Sequence, residues 1–154
     1  MFLKLDGVTG EATDSDHKGE IDVVSWSWGM NAPVGMVSGQ ATGATTLTEV
    51  LVTKRLDRAS PTLMTFLRNH KVIGKGVLTV RKAGNAPFEY LKVELFNVRL
   101  TSLKVAVEQS DHPELVERVS LGFSRLMVSY TPQGSTGGAG GGANVFEADA
   151  PSGT

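Results

Sequence analysis

Acids, a histidine and a glycine crowd together in Asp14-Ser15-Asp16-His17-Lys18-Gly19. The run begins like a calcium loop, with acids at the first and third positions and glycine at the sixth. The fifth position is Lys18, and Ser25 stands at the twelfth, where a bidentate Glu belongs. No metal is therefore expected, and His17 reads as a histidine in a solvated turn. His17, His70 and His112 are too far apart for a metal pattern such as H-E-x-x-H. Ser110-Asp111-His112 holds the letters of a catalytic triad, but adjacent residues point different ways, and no G-x-S-x-G elbow is present. Gly74-Lys75-Gly76 lacks P-loop spacing. Lys54, Arg55, Arg58, Arg68 and Lys71 form a mildly basic region that a solvated helix face explains. No catalytic residue, cofactor or nucleic-acid site is expected, and the chain does not read as an enzyme.

These residues are placed by the stretch Gly10 to Asn31, a polar turn followed by what reads as one long strand. From Ile21 onward the faces separate by period two. Val24, Trp26 and Trp28 share one face, expected to be core, since each Trp can bury roughly 150–250 Å². Ile21, Val23, Ser25 and Ser27 share the other. Its aliphatic end is expected to meet a neighbouring subunit, and its serine end to face water.

Around that stretch the chain is rich in short strands. Phe2, Leu3 and Leu5 make the first. Asn31 to Thr46 is a long, nearly uncharged loop rich in small residues, a length usually associated with function. Its apolar residues Val34, Met36 and Val37 are expected to dock on another protein. A strand over Thr46 to Arg55 follows. Ser60-Pro61 signals a helix start, Ser as N-cap and Pro at the first helical position. Leu63, Phe66, Leu67 and His70 then recur at helical spacing. Further strands are expected over Val77–Lys82, Phe88–Asn97, Leu100–Glu108 and Leu115–Tyr130, with a turn at Gly84-Asn85. Many strands and one helix predict a mainly β fold, an antiparallel two-sheet β-barrel with one short flanking α-helix. From Gly134 the composition turns to Gly, Ala, Ser and Thr, so residues 1–133 read as the domain and 134–154 as a disordered tail.

At 154 residues one domain is expected, large enough to bury about 70% of its unfolded surface. The net charge of −1 gives no electrostatic reason for nucleic acid or an anionic membrane. There is no cysteine, and hence no disulfide. Nothing approaches the roughly 20 apolar residues of a membrane span. Met1-Phe2-Leu3-Lys4-Leu5-Asp6 lacks the apolar region of a secretory signal, so a cytosolic product is expected, needing another route if exported.

The run Thr13 to Gly29, with its Trp26-Ser27-Trp28, strongly resembles the haemolysin co-regulated protein family, the tube component of bacterial type VI secretion. Three further blocks agree in order: Ser60-Pro61, Val80-Arg81-Lys82-Ala83-Gly84 with Phe88-Glu89-Tyr90-Leu91, and Val119 to Ser124 with Tyr130-Thr131-Pro132-Gln133. The resemblance covers about Met1 to Gln133. It implies hexameric rings, stacked into a tube inside a contractile sheath and expelled with a spike protein. The tube's lumen can carry small effector proteins. It implies assembly in the cytoplasm and secretion without a signal peptide. It places Ser27, with Ser25 two residues earlier, on the lumen side, and Val34, Met36 and Val37 at contacts between subunits or rings. The long Gly-rich tail departs from the family's pattern. The residues alone leave two alternatives: a monomeric ligand-binding barrel, which would need an apolar cavity, and a hydrolase built on His112 or the acidic turn.

Overall fold

Alternating apolar residues build eleven strands in the computed structural model, which describes residues 1–35, 39–40, 43–82, 87–135 and 138–150. In chain order they are β1 (Phe2–Leu5), β2 (Ile21–Asp22), β3 (Ser25–Ser27), β4 (Met30–Asn31), β5 (Thr46–Leu47) and β6 (Val50–Arg55). Helix α1 (Ala59–Arg68) follows. Then come β7 (Ile73–Lys82), β8 (Phe88–Glu108), β9 (Glu114–Gly122), β10 (Arg125–Tyr130) and β11 (Asn144–Asp149). The expected turn at Gly84-Asn85 lies outside the described residues.

Strand β8 organises the rest. Its first half pairs with β7 on one side and β10 on the other, while its second half, from Arg99, pairs with β9. The two halves were expected as separate strands. They form one strand bent at Asn97, which takes φ 51°, a left-handed conformation that Asn tolerates better than most residues. Asn97 Nδ2 donates to Ser124 Oγ at 2.9 Å, and a bulge follows between Leu100 and Ser102. One sheet therefore runs β11-β10-β8-β7-β1-β2, and a second runs β8-β9-β6-β3. All pairings are antiparallel. The architecture is the expected two-sheet, one-helix fold, but no described ladder joins β2 to β3, so hydrogen bonds do not close the barrel.

The core lies between the sheets. Leu78, Leu95, Val98, Leu121 and Leu126 are fully buried, and α1 lays Ala59 and Leu63 onto them, with Phe66 and Leu67 packed alongside. The helix begins slightly before the expected Ser60. Asp57 Oδ1 accepts the Ala59 N–H at 2.9 Å, and Ser60 Oγ accepts the Asp57 N–H at 3.0 Å, a reciprocal capping box. Pro61 sits in the first turn, where no intrahelical donor is needed. At the far end the Lys71 and His70 N–H groups bond to the carbonyls of Phe66 and Leu67. His70, with φ 51°, is the left-handed residue of that cap and turns outward instead of extending the apolar stripe.

Two expectations fail here. The tryptophan strand is not one strand: β2 pairs with β1, then the chain changes sheets and β3 pairs with β6. The Val23 N–H goes to Met1 and the Val24 N–H to Thr53, so the crossing lies between them. The period-two phase resets there. Ile21 and Val23 are buried and Val24 is exposed, while Trp26 and Trp28 are only partly buried against the core. The tail is also not structureless. Asn144–Asp149 pairs residue for residue with Arg125–Tyr130, extending the first sheet. Backbone pairing and the contact of Phe146 with Trp28 (ring centroids 6.5 Å apart) place a segment whose composition offers little core.

Candidate functional site

The acidic turn is a structural clip. Gly10 N–H bonds to the Gly19 carbonyl at 2.7 Å and Gly19 N–H to Ala12 at 2.9 Å, closing the turn on itself. A Cβ on Gly10 would lie 2.3 Å from the Glu20 carbonyl oxygen, so only glycine permits this approach. His17 is buried rather than solvated. Its ring stacks on Phe2 at 4.4 Å, with Nδ1 bonded to Glu20 and Nε2 to Glu89. Arg81 bonds to Asp14 and lies over the Phe2 ring at 5.0 Å. That guanidinium holds the Asp14 carboxyl below its ordinary value, helped by the Asp16 N–H. The carboxylates that resembled calcium ligands thus face Arg81, Asp14 by a hydrogen bond and Asp16 at 3.9 Å, and no group of three or more potential ligands exists among the described residues. Ser110 Oγ donates to the His112 carbonyl at 2.7 Å and accepts its N–H at 3.2 Å, a local turn.

A broader feature is the outer face of the β3-β6-β9-β8 sheet. Strand registers place Ser27, Leu51, Ser120 and Ser102 in one row across the four strands. Ser25, Thr53, Arg118 and Lys104 make the next row. Ser102 Oγ donates to Ser120 Oγ at 2.8 Å. The rows line a shallow concavity of about 420 Å³. Both candidate serines are exposed on it, while the other face of this sheet carries the core residues Val50, Val52, Val119 and Leu121.

The expected contact residues scatter. Ile21 and Val23 are 1% and 7% exposed and belong to the chain's own core, so they present no surface to a neighbour. Met36 and Val37 lie outside the described residues. Val34 is 58% exposed, on an arm whose base is the β4–β5 ribbon. Sequence reading missed another set. On the inner face of the second sheet, Lys54, Glu117 and Val105 form one row, and Leu56, Leu115 and Val107 the next. Lys54 Nζ, itself buried, reaches Asp57 at 2.8 Å, Ser60 Oγ at 3.1 Å and Glu117 at 3.2 Å. Beyond that cluster the inner face runs past its cover. Leu56, Leu115 and Val107 are 42%, 50% and 57% exposed. The signal was present as apolar alternation, but alternation does not say where the opposing layer ends.

Residues 2–130 match the family described as "Type VI secretion system effector, Hcp". The chain is 35% identical over 145 residues to "Protein hcp1" of Pseudomonas aeruginosa, covering 92% of this chain and 89% of that one. Among solved structures, Hcp1 from Salmonella typhimurium superposes with a TM-score of 0.76 at 31% identity, covering 96% of this chain and 92% of that chain. A type VI secretion system effector from Yersinia pestis superposes with a TM-score of 0.75 at 26% identity, covering 96% and 98%.

Proposed function

This chain belongs to the Hcp family of type VI secretion proteins, and we propose that it acts there as a structural ring protein: six copies close into a ring and rings stack into an expelled tube. The observation that carries this reading is the uncovered row Leu56, Leu115 and Val107. It continues a core face beyond the chain's own core, and contiguous apolar surface of that kind marks an interaction site. A ring neighbour covers such a row in every subunit, and a closed ring also hides open sheet edges such as those of β11 and β3.

In that assembly the Ser25/Ser27 wall lines the lumen and meets effector proteins, the Val34 arm contacts the adjoining ring, and the outside of the tube meets sheath and spike. The work is mechanical and carrier-like rather than catalytic, and export follows the secretion machinery rather than a membrane-spanning segment. No helix among the described residues is long and apolar enough to cross a membrane.

Light scattering and negative-stain images test the proposal. Rings are expected from the wild-type protein at about ten micromolar, and Leu115→Asp is expected to give folded monomers. A monomeric wild type under these conditions overturns it.

A further inference from the structure

The serine wall carries a charge arrangement that its own chain does not neutralise. Lys104 stands directly opposite Arg118 in the β8–β9 ladder. Such cross-strand neighbours have Cβ atoms about 4.5–5.5 Å apart, and like charges there oppose folding. Arg118 has one distant carboxylate, Glu108 at 3.9 Å, with both side chains about half exposed. Exposed pairs of that kind are weak. Lys104 makes no ion pair among the described residues. No Asp or Glu lines the concavity. Glu49, at the opposite end of the face, is occupied by the Thr101 hydroxyl at 2.7 Å. The lining therefore presents cations and hydroxyl donors, with the half-exposed Leu51 between them.

We propose that Lys104 and Arg118, with the hydroxyls of Thr53, Ser102 and Ser120, form a binding site for an acidic, apolar-flanked segment of a protein guest. The inference rests on reading this wall as the guest-facing surface. A carboxylate between the two cations replaces repulsion with charge-assisted hydrogen bonds, and the planar guanidinium suits a bidentate carboxylate. The Thr53 and Ser120 hydroxyls donate to its remaining lone pairs, with Ser102 orienting Ser120 by donating to it, and Leu51 takes the adjacent apolar side chain. A protein is favoured over nucleic acid because two cations per chain make a small footprint on a chain of net charge −1. The lining also offers only a partly buried Trp26 as an aromatic, where single-strand binding uses stacking platforms. Repetition around a ring multiplies the site, so a weak single contact becomes effective retention.

The test is fluorescence anisotropy of a labelled ten-residue peptide alternating Glu and Leu, against its Gln/Leu counterpart and a labelled ten-nucleotide thymidine strand. Wild type is expected to bind the Glu peptide, less tightly as salt rises, and neither control comparably. Lys104→Gln/Arg118→Gln is expected to weaken binding at least tenfold with a melting temperature no lower than wild type, since repulsion is relieved. Lys104→Gln alone provides the same comparison with a smaller change. Equal binding by the double variant, equal binding of the Gln peptide, or tighter binding of the oligonucleotide overturns the proposal. Ring formation is read separately by light scattering. Rings without peptide binding sink this inference alone, and peptide binding without rings sinks the ring reading alone.

Discussion

Arg81 and Asp14 show how single residues hold the turn that precedes the serine wall. Because the Asp14 pKa is depressed in the folded chain, its contribution to stability is complete above the unfolded value near 3.8 and is lost as pH falls through the folded value. Arg81→Met is therefore expected to lower the melting temperature at pH 7, with the gap to wild type closing below about pH 4. A gap that persists unchanged into acid would assign the loss to packing over Phe2 instead. The serine wall makes a second residue-scale case. Ser27→Gln changes an exposed side chain and should leave stability within about 0.5 kcal/mol. Trp26→Ala should cost more, though less than the ~3–5 kcal/mol of a fully buried aromatic, because Trp26 is only partly buried. Paired denaturant melts decide it, and a Ser27→Gln variant as unstable as Trp26→Ala would put Ser27 in the core.

At the scale of elements, the first turn of α1 is tied to the second sheet through Lys54, Asp57, Ser60 and Glu117. Removing Lys54 leaves the fully buried Glu117 carboxylate without its cation, so Lys54→Met is expected to destabilise by ~3–5 kcal/mol. Lys54→Met with Glu117→Leu removes the stranded carboxylate as well and should recover most of that loss, with Asp57 still capping α1 through the Ala59 N–H. A double variant as unstable as the single would mean that the cluster orients α1 in a way packing cannot replace. Strand β11 makes the opposite point about composition. A glycine-rich segment reads as disordered, yet six of its residues, Asn144–Asp149, pair along β10, with Arg125 bonded to Glu147. Deleting residues 144–154 should lower the melting temperature by several degrees, at about 2–4 °C per kcal/mol for a chain of this size. An unchanged melting curve would show that the β10–β11 ladder adds nothing in solution.

For the whole molecule, stability and assembly should be linked. If neighbours cover Leu56, Leu115 and Val107, mass action makes the apparent melting temperature rise with protein concentration. Leu115→Asp should abolish that dependence while melting at or near the dilute wild-type value. Concentration-independent melting of wild type, scanned from about one to one hundred micromolar, would count against a neighbour at this face.

Residue types and their alternation were enough to specify strands, one amphipathic helix and a two-sheet architecture. Those properties are local: period two, a helical stripe and a Ser-Pro start each act within a few residues. The family resemblance rested likewise on short ordered blocks, and the match over residues 2–130 agrees with it. Tertiary structure decided what depends on partners distant in the chain. The alternation through Ile21–Trp28 is continuous in sequence, but its faces are set by β1 on one side of Val23-Val24 and β6 on the other, so the phase breaks where the partner changes. His17 is buried because Phe2 and Glu89 meet it from other strands, and β11 is ordered because β10 offers an open edge. Lys104 and Arg118 are fourteen residues apart and become neighbours only through the β8–β9 register. Burial and charge pairing are properties of that register, which local pattern does not contain.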